Sequence, residues 1–421
     1  MPIIPFALAS GGGIDTSGDL TLDHSVVRDN HVGAASGITD LASDNEGGGI
    51  RSWAGDLTVT HSRIEDNSAT GTAPNARFAE GGGIFAGGGF FPSGGIFTLR
   101  HSSVTGNAAD LASGLPDEVD GVTIDQVAIG GGIQLTSEVP STLIDHSTVA
   151  ENTVRATNTV GSAIAFAGGA LTNLPTDARI VHSTWRSNHA FAETVGDSTG
   201  IAHADTSGLQ LHGTIIDSTV RDGTVDAVSA NGDAEAFSGG VWVLRGRGVR
   251  DLEVRGNDLS ATAARGAATV LGGGMLIDEA PEEAGQGGLM MKDSRVRDNA
   301  GTASGLTTLA RGGGIFDGPV ADFGPFGGPL TLVGVRIEKN HLFPKASAEG
   351  GGLFVQGQPL RLRDTRIKKN TPDQCFGCAN ATKIRTTGRA PGFRVSDDPH
   401  ARVPRDRLSQ LPQLTPHSRT R

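Results

Sequence analysis

The 421-residue chain contains no tyrosine, only three tryptophans and only two cysteines. It also lacks an apolar run of about 18 residues, the length that spans a bilayer as a helix, so no transmembrane segment is encoded. Aromatic residues make up 5% of the total, which removes most of the surface that sugar-binding grooves use for stacking. The cysteines, Cys375 and Cys378, form one CxxC pair; a structural zinc site needs four ligands and no second pair exists. That spacing leaves three readings open: a disulfide or idle pair closing the last unit of the fold, a metal-ligand pair, or a redox dithiol without the βαβ setting such dithiols use.

Positive charge is scarce as well. Lys and Arg total 35 against 46 Asp and Glu, for a net charge of -11. Residues 376–421 alone carry +6, so the preceding body carries -17. An acidic body disfavours nucleic acid as a partner, because phosphate binding draws on Lys and Arg. Metalloprotease, dinucleotide and phosphate-loop motifs are missing, and no sequence calls for a cofactor. The start, "MPIIPFALAS", has no basic region and makes a poor signal peptide. It resembles the interior of a repeat, which implies a body, residues 1–375, lacking its native N-terminal cap.

What the chain has in excess is glycine, 63 residues, arranged in a repeat. "GGGIDTSGDLTLDHSVVRDN" at 11–30 returns as "GGGIRSWAGDLTVTHSRIEDN" at 47–67. A glycine-rich element ending on an apolar residue occurs ten times between Ile14 and Leu353, with a period of about 38 residues. Nine units close on an asparagine: Asn30, Asn67, Asn107, Asn152, Asn188, Asn257, Asn299, Asn340 and Asn370; the sixth closes on Gly223. Three residues before each closing position the residue is always apolar, from Val27 through Val149 and Trp185 to Ile367, which marks it as core-facing. Period-2 alternation with β-branched residues gives three short strands per unit. The fold expected is all-β, a right-handed parallel β-helix of about ten coils roughly 43 Å long, followed by a basic, Pro/Arg-rich disordered tail over 376–421. Stacked glycines would serve the tight corners, and the asparagines would form a hydrogen-bonded ladder at a bend that their tolerance of left-handed backbone permits. The Ala/Thr/Ser-rich segments between units read as variable loops feeding an extra stretch of strand.

Glycine triplets alternating with apolar-x-x-Asn resemble the repeats of polymorphic outer membrane proteins, within the wider pectate-lyase-like β-helix group. The resemblance covers residues 11–375 and includes the closing phrase "NTPDQC". It implies a secreted or cell-surface, adhesin-like structural or binding protein, extracellular in location, whose partner is a glycan or a host or cell-surface protein. It supplies no catalytic residue. The alternative is a polysaccharide lyase or glycoside hydrolase acting on an acidic glycan, and enzymatic activity is the less favoured of the two.

Candidate binding residues follow from the register. Arg186, Arg221, Arg255 and Arg297 occupy one outward position on successive coils, and Asp217, Asp251 and Asp293 another. Like charges stacked at about 4.8 Å need relief by splaying, by pairing or by a bound cation. The same position as those aspartates holds His24, His61, His101, His146 and His182 in the first five units, read here as polar stackers at a bend rather than metal ligands. "GDSTG" at 196–200 matches a nucleophile elbow by letters, but the strand–turn–helix context that an elbow needs is not expected around Ser198.

Overall fold

The computed structural model describes residues 6–383, apart from short segments at 35–41, 73–75, 88–93, 113–117, 120–121, 124, 137–138, 173–176, 245–247, 279–287, 319, 321–327 and 345–346. The described residues form a parallel β-solenoid, with one 3-10 turn at Cys378–Asn380. One coil shows the plan. Ala42–Glu46 lies in sheet I, Ile50–Ser52 in sheet II, Gly55–Thr60 and Arg63–Glu65 in sheet III, and Ser68–Gly71 in sheet IV. The next coil then stacks on it in parallel, with Ile84 opposite Ile50 and Val104 opposite Ile64. Sheets I, II, III and IV contain ten, eleven, nineteen and nine strands, sheet III taking two from most coils.

The expected core positions are inside. Val149, Trp185, Val254 and Ile337 are fully buried, while Ile367, on the last coil, is only half-buried. Large aliphatic side chains from sheets II and III fill one core. A second core, between sheets I and IV, is built mostly of alanine: Ala109, Ala156, Ala165, Ala192, Ala204 and Ala236 among others. Here the structure corrects the sequence reading. The Ala/Thr/Ser-rich segments are not mainly loops; they carry two complete sheets, whose small inward residues let the two layers approach closely.

The joint between the two cores explains why units open on glycines and close on asparagine. Gly47 has φ 66°, a left-handed turn from sheet I into sheet II. A Cβ on Gly48 would lie 2.3 Å from the Ser68 backbone, and one on Gly49 would lie 2.9 Å from the Asn67 side chain. The glycines and the asparagine of one coil therefore face each other across a waist too narrow for a Cβ. Coil six makes the point by exchange. Where Gly223 replaces the asparagine, Ser207 replaces a glycine opposite it, and a Cβ on Gly223 would meet Ser207 Oγ at 2.0 Å.

The asparagine ladder is present. Nδ2 donates to Oδ1 of the next coil from Asn67 to Asn107, Asn107 to Asn152 and Asn152 to Asn188, each at 3.0 Å. It resumes beyond Gly223 as Asn257 to Asn299 and Asn299 to Asn340 at 2.9 Å, then Asn340 to Asn370 at 3.0 Å. The expected left-handed asparagine is not seen. The residue before it takes that conformation, as at Asp66 (φ 55°), Glu151 (φ 58°) and Lys369 (φ 59°), so the asparagines act through their amides alone.

The last coil extends past the boundary placed at residue 375. Cys375–Phe376 pairs with sheet II and Thr382–Lys383 with sheet III, and Cys375 and Cys378 are joined by a disulfide. From 384 onward the expected disordered tail lies outside the described residues.

Candidate functional site

The outward arginines close the sheet III stretch of their coils, Arg186 and Arg297 on a short second strand and Arg221 and Arg255 at the ends of the single strands Gly213–Arg221 and Gly248–Arg255, and each has a carboxylate partner. Arg186 Nη1 donates to Glu151 Oε1, Arg221 pairs with Asp222, and Arg255 Nε lies 3.7 Å from Glu253 Oε2. Arg297 bridges Glu253 at 2.9 Å and Asp298 at 2.6 Å. The aspartate row lies elsewhere, at a left-handed bend with φ between 45° and 52°, which separates two sheet III strands at Asp293 and kinks the single strands Gly213–Arg221 and Gly248–Arg255 at Asp217 and Asp251. Two of the aspartates have cationic partners other than the arginine row, Arg250 for Asp251 at 3.3 Å and Lys292 for Asp293 at 3.5 Å, while Asp217 lies 3.5 Å from the His182 ring nitrogen Nε2. The two rows are therefore not brought together into one site. Ser198 is buried and its hydroxyl donates to Val160 O and Gly161 O, at 3.0 and 2.8 Å, with no helix following.

At the same bend position the five histidines form an exposed column. Ring centroids are 4.8, 5.2, 5.0 and 4.4 Å apart from His24 to His182. Asp23 and Asp145, each just before a histidine, flank it. Asp23 is held down to about 2, chiefly by the Thr60 hydroxyl and then by His24. For Asp145 burial acts upward, but hydrogen bonds from His146 and His182 and the charge of Arg100 outweigh it and hold the carboxyl low.

A second polar feature lies on the outer face of sheets I and II, and the sequence reading missed it. Several sheet II strands are buried on both faces, so the outward side chains Arg51, Phe85, Gln134 and Phe316 are as hidden as the inward ones. Their cover includes outward residues of sheet I. Glu46 grips Arg51 at 2.5 Å, and Arg311 lies over the Phe354 ring at 4.8 Å. The corner between sheets I and II is thus folded inward, and ionisable groups in it are desolvated.

Two clusters result. Asp44, Glu46 and Glu80 occupy adjacent coils of sheet I. Burial first, and then the neighbouring carboxylates, push Asp44 up to about 6 and Glu80 up to about 8, and burial raises Glu46 despite Arg51. Further along, His203 Nε2 lies 2.9 Å from Asp205 Oδ2 and Nδ1 lies 3.0 Å from Glu235 Oε2, with Phe166 and Phe237 edge-on to the ring. Burial alone would lower His203, but the two carboxylates dominate and lift it to about 10. An imidazolium held so firmly at neutral pH has no lone pair to act as a general base. The signal was available in "IAHADTS" and "DAEAFSGG": alanine alternating with charge is a strand with a small inward face and a charged outward one.

No protein-family model, curated protein or solved structure matches the chain. Its chemistry is therefore read from its own residues.

The Glu80 cluster carries a pH prediction. A carboxyl raised in the folded state binds more protons folded than unfolded between its ordinary value of 4.5 and about 8, so stability falls as pH rises through that window. Asp44 acts in the same direction up to about 6. Urea midpoints measured from pH 5 to pH 8 are expected to decline, and Glu80→Gln is expected to flatten the decline and to be the more stable protein at the alkaline end.

Proposed function

We propose that the protein is an extracellular or cell-surface structural and binding rod of the polymorphic outer membrane protein type, within the pectate-lyase-like β-helix group. The observation that carries this reading is the coil-to-coil register, kept along four sheets apart from local shifts at Ala76/Phe78 and Gly94/Phe97, which turns outward side chains into columns along several faces. Such a surface suits repeated, low-specificity contacts with an extended partner such as a glycan chain or another cell-surface protein. The paired arginine row also supports it, since those charges already have partners and leave a balanced surface. Surface labelling and protease shaving of intact producing cells test the location: fragments of residues 6–383 released from outside support it, and recovery only in the cytosolic fraction overturns it.

A second reading, turnover of an acidic glycan, is favoured by one observation. Glu80 keeps its proton near neutral pH on the coil next to Glu46, the kind of carboxyl pair that acid–base chemistry requires. Release of reducing ends or unsaturated products from an acidic polysaccharide, lost in Glu80→Gln, would replace the binding reading with this one.

A further inference from the structure

We propose that the histidine column is a transition-metal strip with two separate sites, Asp23–His24–His61 and Asp145–His146–His182, each taking a divalent ion of the Zn²⁺ or Cu²⁺ class. In each trio the candidate ligand atoms lie within 4.8 Å of one another. The two trios share one design: an aspartate precedes a histidine, and the histidine one coil further on turns toward the same carboxylate. At the second site His146 Nδ1 lies 2.7 Å and His182 Nδ1 3.5 Å from the same oxygen, Asp145 Oδ1. At the first, His24 Nδ1 is 2.9 Å from Asp23 Oδ2 and His61 Nδ1 is 3.4 Å from Oδ1.

Stacking alone does not account for this. A column of polar rings at a bend needs no acid, and where the column runs through His101 the preceding residue is Arg100. The aspartate occurs where two imidazole nitrogens converge on it. The points from which the rings project are set before any ion arrives, because the five histidines share a left-handed backbone with φ between 47° and 49° and their spacing is set by parallel strands. Preorganised ligands lower the entropic cost of binding. The sites are open to solvent, with His24 73% and His146 50% exposed, so an ion has a route in.

The donor set selects the metal. Two imidazoles and one carboxylate suit Zn²⁺, Cu²⁺ or Ni²⁺, whereas Ca²⁺ and Mg²⁺ prefer shells of six or more oxygens. Three protein ligands leave at least one position for water or for a group on a partner. The sites are not equal. At the second site Arg100 Nε lies 3.6 Å from Asp145 Oδ2 and its charge opposes a dication, whereas Asp217 Oδ2, 3.5 Å from His182 Nε2, favours one.

The experiment is calorimetric titration of the full chain with Zn²⁺, paired with electron paramagnetic resonance of the Cu²⁺ form. The variants are His24→Asn/His61→Asn, His146→Asn/His182→Asn and the combination of all four. Asparagine tolerates the left-handed backbone, and melting curves check folding. Each double variant is expected to lose one equivalent of Zn²⁺ relative to wild type, and the quadruple variant two, with a matching decrease in the nitrogen hyperfine signal of Cu²⁺. Other histidines, including His400 and His417, cancel in these differences. Should a histidine variant misfold, Asp23→Asn and Asp145→Asn keep the column intact and are expected to weaken their sites at least tenfold. His101→Asn, which belongs to neither trio, is expected to change nothing. Unchanged stoichiometry in the quadruple variant, or Ca²⁺ displacing Zn²⁺ on equal terms, overturns the proposal.

Discussion

Asn152→Leu is expected to destabilise the rod by roughly 3–5 kcal/mol, although it adds apolar surface at a fully buried position. Asn152 Oδ1 accepts from both the backbone N–H and Nδ2 of Asn107, at 3.0 Å each. Its own Nδ2 donates to Val104 O and to Asn188 Oδ1, also at 3.0 Å. Leucine removes all four bonds and leaves their buried partners unpaired, at about 1–3 kcal/mol for each group that finds no substitute. The branched side chain also crowds the waist, where a Cβ on Gly132 would already lie 3.0 Å from Asn152. Asn30→Leu supplies the control. Asn30 is half-buried, and among the described residues no asparagine donates to it, so its loss is expected to cost about 1 kcal/mol. Urea unfolding, with hydrogen exchange to locate the weakened coils, reads both. Equal costs at the two positions would mean that the ladder is not what holds the waist together.

The waist also shows what the sequence could and could not disclose. Inward columns such as Val104, Val149 and Trp185 were legible because strand alternation and a fixed distance from the closing asparagine select one face. The histidine and aspartate position was legible as a bend for the same reason, but its left-handed backbone was not, since the sequence pointed to the asparagine for that conformation. The alanine sheets were obscured because alanine and serine have low strand preference, so "ATNTVGSAIAFAGG" reads as linker until its neighbours fix the register. Facing glycines and asparagines lie about 20 residues apart in each unit, and no local rule announces that they touch. The compensating Ser207 and Gly223 become intelligible only after the fold places them in contact. The buried corner was hidden by a further step: outward residues are normally solvated, and only the inward fold between sheets I and II turns Glu80, Arg51 and His203 into desolvated groups.

His203→Leu is expected to destabilise the middle coils by about 3–5 kcal/mol, the usual effect of removing one member of a buried ionic group. The imidazolium is clamped between Asp205, fully buried, and Glu235 on the next coil, and leucine would leave both carboxylates facing each other without a cation. Removing the charges together is a different matter. A triple variant, His203→Leu with Asp205→Val and Glu235→Leu, is expected to recover most of that loss, because Phe166 and Phe237 already offer an apolar wall and no charge remains to be desolvated. The pH dependence separates an ionic clamp from simple packing. His203 is raised in the folded state from 6.5 to about 10, so its contribution is complete below about 6.5 and is lost as pH rises toward 10. Wild-type stability is therefore expected to fall over that interval, with less of that fall in either His203 variant. Chemical unfolding at pH 6.5, 8 and 9.5 provides the measurement. A triple variant as unstable as the single one, with the wild-type slope retained, would show that His203 supports the fold through its shape rather than its charge.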